Sequence, residues 1–553
     1  MGAEQALPEE GLRREVGFGS LLWFSTGTTL GSGWLFSAFV ALSIAGPAVL
    51  ISWFIATAMI LLLALIHAEL GAMFPESGGT GRYPGHAFGP VAEATFGWFS
   101  YLQASTIVPI EILAAIQYLS TASWAHGLYN SDRHALSGSG ALLAVALMGA
   151  FVLVNLLGIG RLTRANSVVT IWKVAIPTLA VLALVLTNFH GSNFSAVGGF
   201  FPSTGSTLEG ILLAIPSGGI VFALMGFEGA LQVGGESANP GRDLPRAVIG
   251  GMLLCAAIYI AVQIAFIAAL EPSSLAHLTT WSQLGKGTSM AQAPLFELSL
   301  MVGLGWLAWL LRVDAVISPS GTGMLYLTGA SRLAFGLARD GYVPKALATE
   351  TRRTEVPRIG IVVTAILGLA FMLPFPSWTK LVNVVTAAAV LMYAGAPLAL
   401  GALRRTRPEA TRPYRLRLAP LLAPLGFVVA NFIVYWTGWQ TVSTLMVALL
   451  LGWGLMALSR AGKFDERPPV LDFSAFAWLA PYLVGITLCS YFGGFGPGGM
   501  LGGVGPFAHI LVGGQGQLGL WWDLGVVTVL SLGVYGLAMA HASRRATRGT
   551  MAT

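Results

Sequence analysis

Charge is scarce in this 553-residue chain: Asp, Glu, Lys and Arg together make up 10% of it, while 55% is apolar. A soluble domain carries about 25% charged residues, so the scarcity excludes one of useful size. Cysteine is scarcer still. Cys255 and Cys489 both lie in apolar runs, which rules out a disulfide framework and a thiolate metal set. The eight histidines form no HxxxH pair, and HExxH, GxSxG and Cys/His clusters are missing. Those gaps remove the common hydrolase and metalloenzyme constellations, so no enzyme, metal or cofactor is expected. The first sixteen residues lack a short apolar core followed by a small-residue cleavage site, so no cleaved leader is expected.

What the chain does have is apolar runs of about 20 residues, each enough to cross a hydrocarbon layer roughly 30 Å thick. Fourteen crossings are predicted, near 17–43, 46–73, 88–126, 138–158, 165–187, 210–235, 246–270, 295–328, 356–374, 379–402, 420–440, 442–459, 473–493 and 520–541. The net charge of +6 does not point to nucleic acid, because the positive residues fall into alternating loops. One set of inter-span segments holds 25 Lys and Arg; the other holds three, Arg133, Lys286 and Lys380. Such a bias places both termini in the cytoplasm of a multi-pass protein of the cell membrane.

Glycine and hydroxyl residues interrupt particular spans. The first carries "GTTLGSG" and the sixth "GFEGALQVGG". A helix broken in lipid exposes backbone groups, each costing several kcal/mol if left unpaired, so unwound segments survive only where protein, water or ligand pairs them. Breaks five spans apart are expected of two blocks of five that enter the membrane from opposite sides. Amides around Gly31, Ser32 and Gly33 would open a half-helix whose positive end suits a carboxylate. Carbonyls near Met225 and Gly226 would suit an ammonium. Together they make a receptor for a zwitterion. The bland reading of either segment is close helix packing.

Five stretches then occur in a fixed order: "GSGWLF", "FPESGGTGRYP" (74–84), "GFEGALQVGGESANPGRDLPRAV" (226–248), "SRLAFGLARDGYVP" (331–344) and "LRRTRPEATRPYR" (403–415). They resemble the successive signatures of the amino acid-polyamine-organocation (APC) superfamily over about residues 14–460, in outline like its bacterial aspartate:proton symporters. The resemblance implies an all-α integral membrane protein of LeuT type: a five-plus-five inverted repeat with helices 1 and 6 broken. Residues 1–16 would be a cytoplasmic segment, 17–187 the first repeat, 210–402 the second, 420–460 spans 11 and 12, 473–541 two additional spans, and 542–553 a cytoplasmic tail. An amino acid would sit against Thr28, Thr29, Gly31, Ser32, Gly33, Met225, Gly226 and Phe227, with Phe222 where the family often places an aromatic gate.

Lys173 follows Arg164 by nine residues, about 13.5 Å of helix, which puts it near mid-membrane, where a charge costs roughly 2.5–3.5 kcal/mol. In proton-coupled relatives a span 5 lysine occupies the place where sodium-coupled ones bind an ion between spans 1 and 8. Lys173 resembles it, with Ser318 and Ser320 as the expected span 8 wall; snorkelling to the interface is the alternative. Glu111 and Arg312 are expected either to form a structural ion pair or to divide, with Arg312 meeting a substrate's side-chain carboxylate. Asp314, two residues from Arg312, cannot satisfy it along the helix. Glu228 either accepts hydrogen bonds from freed amides or carries a proton.

The expected protein is therefore a secondary transporter importing an amino acid by alternating access, coupled to protons rather than sodium, an acidic substrate standing ahead of a neutral one. Exchange of one amino acid for another and a non-transporting sensor are the alternatives. Its expected partners are the amino acid, protons and the lipid bilayer.

Overall fold

The computed structural model describes residues 16–551 except 76–78, 131–133, 157–158, 203–206, 350–356, 374, 462–470, 496–513, 515 and 518. The expected N-terminal segment up to residue 15, the centre of "FPESGGTGRYP", Arg133 and most of the glycine-rich stretch "GGFGPGGMLGGVG" lie outside the described residues.

The chain is almost wholly helical. Its elements run α1 (Phe18–Thr29), α2 (Gly33–Ala45), α3 (Val49–Met73), α4 (Tyr83–Phe88), α5 (Pro90–Leu119), α6 (Gly138–Leu156), α7 (Ile159–Thr187), α8 (Thr207–Ser217), α9 (Ile220–Leu224) and α10 (Glu228–Gln232). They continue as α11 (Pro240–Ala269), α12 (Pro272–Leu275), α13 (Pro294–Met301), α14 (Gly305–Arg339), α15 (Arg358–Met372), α16 (Trp378–Thr406), α17 (Ala419–Trp436), α18 (Trp439–Ala461), α19 (Phe476–Phe492) and α20 (Leu520–Met551). The strands among the described residues are the antiparallel pair β1 (Tyr129–Asn130) and β2 (Ala135–Leu136).

Among the described residues, ten stretches are helical, long and apolar enough to cross a membrane, with α2 and α3 counted as one continuous stretch. The segments outside that set are α1, the short α4, α12, α13 and α15, the interrupted α8 to α10, and α14, whose 35 residues include Arg312, Asp314 and several serines. The chain is thus a multi-pass membrane protein. Three boundaries differ from the sequence reading. The eighth predicted span divides into α13 and α14 around Gly303, at φ +75°, and α14 runs on to Arg339. The sixth divides twice, at Gly218–Gly219 and at Met225–Phe227. The last helix continues through the expected tail to Met551, since "HASRRATRGT" holds no proline to stop it.

Burial sorts the helices into an inner and an outer set. The apolar windows of α5 and α16 are wholly buried inside the protein, and α5 packs along α14 and α16. The outward faces of α6, α7, α15, α18 and α20 carry exposed Leu142, Leu186, Ile366, Leu451 and Trp521, the surface a hydrocarbon solvent requires. The interior is where polar groups collect, among them fully buried Glu69, Gln103, Glu228, Gln263 and Asp314.

Close approach of the interrupted helices depends on glycine. A Cβ on Gly226, at φ +112°, would stand 2.7 Å from the Thr28 backbone, and one on Gly33 would stand 2.9 Å from Ala223 Cα. Gly226→Ala is expected to cost about 2 kcal/mol or more through backbone strain and overlap. Heating the purified protein before size-exclusion chromatography should show an earlier loss of the monodisperse peak. Gly149→Ala on α6, whose Cβ meets nothing within 4 Å, should leave it unmoved.

Candidate functional site

The α1 helix ends at Thr29 and α2 begins at Gly33, so Leu30 to Ser32 are unwound. Three carbonyls at the break are met by side chains. Gly27 O accepts from Lys173 Nζ at 2.8 Å, Thr29 O from Tyr259 OH at 3.0 Å, and Leu30 O from Thr322 Oγ1 at 3.2 Å. On the amide side, Ser32 N donates to Glu111 Oε2 at 2.9 Å. Its position at the start of a half-helix makes it an anion site, and a protein carboxylate fills it. Glu111 Oε1 has no hydrogen-bond partner among the described residues, and a Cβ on Gly31 would touch it at 2.5 Å.

The second break is closed by Glu228. Its Oε2 accepts from Gly226 N at 3.0 Å and Tyr393 OH at 2.5 Å; its Oε1 accepts from Tyr326 OH at 3.1 Å and Gln103 Nε2 at 3.2 Å. Charge-assisted bonds of this kind are about twice as strong as neutral ones. The two breaks also bond to each other, because Thr28 Oγ1 donates to Gly226 O at 2.8 Å. That carbonyl accepts Gly229 N as well, at 2.9 Å.

Between the breaks lies a small central pocket lined by Thr28, Thr29, Gly31, Ile107, Glu111, Phe222, Met225, Thr322 and Tyr326. Beside it, Lys173 is 1% exposed, and its Nζ donates to Thr322 Oγ1 at 2.5 Å besides the Gly27 carbonyl. The ammonium therefore bridges α1 and α14, and Glu111 lies in the same region, since a Cβ on Gly31 would meet both it and Thr322. At a distance from interface water, two such bonds replace the hydration a buried ammonium loses.

With that geometry in view, comparison with known proteins is decisive: the family described as "Amino acid permease" matches residues 16–456. This chain belongs to the amino acid permease family, within the APC superfamily. The permease is 33% identical over 529 residues to the glutamate/serine transporter AimA of Bacillus subtilis, covering 95% of this chain and 93% of that protein. It is also 33% identical over 479 residues to the aspartate-proton symporter of Bacillus subtilis, at 86% and 90% coverage. The branched-chain amino acid permease BcaP of the same organism is 25% identical over 471 residues, at 80% and 92%. Family and relatives are transporters rather than enzymes.

The structure of the permease corrects several expected contacts. Arg312 meets neither Glu111 nor the central pocket. Its Nε and Nη2 donate to Thr121 at 3.2 to 3.4 Å, and its guanidinium carbon stands 4.4 Å from the centre of the Phe296 ring. Arg312 and Glu111 lie on neighbouring helices, α14 and α5, but at different depths. Ser318 donates to Asp314 Oδ1 rather than meeting Lys173, and that oxygen also accepts from Trp172 Nε1 at 2.8 Å. Ser320 does not line the central pocket either. The α14 wall is Thr322 instead, one helical turn beyond Ser318 on the same face.

Phe227, Gly33 and Gly226 also stand outside the pocket lining. Phe227 stacks on Tyr393 at 4.9 Å and Gly33 packs on Ala223. Of the residues the sequence reading offered for substrate, the structure gathers Thr28, Thr29, Gly31, Phe222 and Met225 around the pocket, with Ser32 at its anion end.

Sequence reasoning missed Thr322, Tyr326, Tyr393 and Glu69. The first three carry no motif; they are single hydroxyls on long helices. Glu69, fully buried at the end of α3, is held by Arg404 at 2.6 Å, Arg412 at 3.4 Å and the Leu416 amide at 2.7 Å. A lone acid in an apolar run, in a chain with an arginine-rich loop after span 10, was the available signal. In the loops, Asp340 pairs with Arg82 at 3.3 Å, and Arg82 reaches Glu93 at 3.5 Å. Burial, then the Glu93 carboxylate, pushes the Tyr342 phenol in the loop after α14 well up from its ordinary range.

Because Glu228 collects four donors, Glu228→Ala should destabilise the permease by about 3 kcal/mol. Tyr326→Phe, which removes one of them, should cost about 1 kcal/mol. Thermal denaturation of the purified variants checks both.

Proposed function

We propose that the permease is a secondary transporter that imports an amino acid by alternating access, with protons as the coupling ion. Lys173 carries this reading: its ammonium sits on the Gly27 carbonyl at the broken end of α1 and on the Thr322 hydroxyl. Oxygen atoms so placed would suit a sodium ion if the ammonium were not there. Gain and loss of a proton at Lys173 then does what binding and release of a cation would do, tightening or loosening α1 against α14.

The fold this reading requires is a LeuT-type five-plus-five inverted repeat, residues 17–187 and 210–402, within fourteen crossings, both termini in the cytoplasm. The interrupted first and sixth segments support it. The substrate's α-carboxylate takes the Ser32 amide, displacing the Glu111 carboxylate that now accepts from it. Its ammonium faces the Met225 side of the second break, since Gly226 O is already bonded to Thr28 and Gly229. Glu111, released from Ser32 and close to Lys173, is the second group through which carboxylate binding and proton occupancy are linked. Glu228 pairs the groups at the second break and does not carry the proton, because each of its oxygens already accepts two donors.

Glutamate and aspartate lead as substrates, with serine beside them. The support is the printed names of two relatives, the glutamate/serine transporter and the aspartate-proton symporter. Arg312 no longer contributes, so selectivity for a side-chain carboxylate falls to the hydroxyls of Thr28, Thr29, Thr322 and Tyr326 around the pocket.

Proteoliposomes test the reading directly. An inward proton gradient should drive accumulation of labelled glutamate or aspartate, and a sodium gradient alone should not. Uptake that follows sodium and ignores pH removes the proton assignment. Lys173→Ala should retain downhill exchange at most and lose response to the gradient. Arg312→Ala should leave the ratio of glutamate to leucine uptake within about twofold of wild type, because one unused contact changes discrimination by less than about 0.5 kcal/mol.

A further inference from the structure

A second and larger cavity, about 970 Å³, opens at the end of the bundle where α2 stops and α20 starts. Its floor includes Gln117, Ser217 and Thr379, and it shares no lining residue with the central pocket. The partition between the two is Trp378, which is completely buried and lines neither. Its indole stacks on Phe36 at 4.9 Å and 16°, and meets the edge of Phe222, a central-pocket residue, at 5.6 Å and 86°. Its backbone N–H donates to Gln117 Oε1 at 2.9 Å, and its next neighbour, Thr379, faces the large cavity. A Cβ on Gly219, at φ +77°, would stand 2.6 Å from the indole, so the left-handed glycine makes room for it.

One further bond gives the partition a connection to the site. Trp378 Nε1 donates to Ser32 Oγ at 2.8 Å. Ser32 is also the residue whose amide N–H donates to a carboxylate, that of Glu111. A single residue in the α1 break therefore presents one group to the carboxylate and another to the indole, and neither can move independently.

We propose that Trp378 is the gate between the large cavity and the central pocket, and that Ser32 ties its closure to the substrate's α-carboxylate. Trp378 is thus a positioning residue of the transport cycle, and Phe222 is the surface it closes against. The inference rests on the proposed seating of the carboxylate at the Ser32 amide. Coupling of this kind is reciprocal: if a carboxylate on Ser32 favours the closed indole, the closed indole tightens carboxylate binding by the same factor. A solute without an α-carboxylate leaves the gate untied, which makes the gate a selectivity element as well as a barrier.

The test uses the full-length chain in proteoliposomes with Cys255→Ser and Cys489→Ser, a single cysteine introduced as Ile107→Cys in the central pocket, and labelled glutamate as probe. A membrane-impermeant thiol reagent added on the large-cavity side reports gate opening. In the Trp378 background glutamate should protect the cysteine. Trp378→Phe, which keeps the ring stack and loses the indole N–H, and Ser32→Ala should each raise labelling in glutamate by about fivefold, the effect of losing one net hydrogen bond. The double variant should be no worse than either, because both remove the same bond. Additive effects in the double variant, or labelling unchanged in both single variants, would overturn the gate. If the double variant does not fold, the two single variants decide alone. Wild-type protein that takes up no amino acid counts against the transport reading; wild-type uptake with unaltered labelling in the variants counts against the gate only.

Discussion

Thr28 donating its hydroxyl to the Gly226 carbonyl is the contact on which the rest of the interior turns, because it joins two helices that have each given up their own backbone bonds. In hydrocarbon an unwound segment has no water to fall back on. Every freed group must then be paired by a side chain that the fold delivers to that spot. Lys173, Tyr259, Thr322 and Glu111 do this at the first break, and Glu228 with its tyrosine and glutamine partners at the second. The groups that pair the backbone are those that line or adjoin the pocket, so holding the fold and binding a solute draw on the same atoms.

The α5 helix organises this arrangement. Gln103 bonds to Glu228 at the second break, Glu111 to Ser32 at the first, and Gln117 to the Trp378 amide at the partition. These positions span 14 residues, about 21 Å of helix, so one rigid, wholly buried element touches three places along the route through the protein. Motion of either broken helix against α5 exchanges defined hydrogen bonds rather than sliding over an apolar surface. Exchange between discrete bonded arrangements is what a bistable transporter core needs.

The C-terminal pair is docked by polar contacts inside the membrane. Tyr482 of α19 donates to Asn431 Oδ1 of α17, whose Nδ2 donates to Ser531 Oγ of α20, both at 2.9 Å. Tyr435 bonds to Asp523, and a Cβ on Gly401 of α16 would collide with Tyr535. In lipid, where apolar surface gives helices little reason to choose one another, such bonds fix the partner. Leu520 and Asp523 then form part of the large cavity's wall. The family match ends at 456, whereas the alignment with the glutamate/serine transporter covers 95% of the chain and so runs on beyond it.

Composition and periodicity settled what kind of solvent surrounds this protein, because a chain with one charged residue in ten has few ways to exist in water. Glycine clusters marked where the helices break, since only glycine tolerates Gly226's φ and the approach of Thr28 to it. Lys173 and Glu111 were legible as unusual because a charge at mid-membrane needs a reason. Their partners were not. Whether Lys173 meets Ser318 or Thr322 depends on the axial offset of α7 against α14, a matter of angstroms that no local pattern encodes. The same holds for Arg312, which the fold sends to Phe296 and Thr121, and for Trp378, which looks in sequence like any interfacial tryptophan. The sequence by itself determined the membrane, the breaks and the charges that had to be paired; the tertiary structure decided which groups pair them, because hydrogen bonds are set by distances between helices remote in the chain.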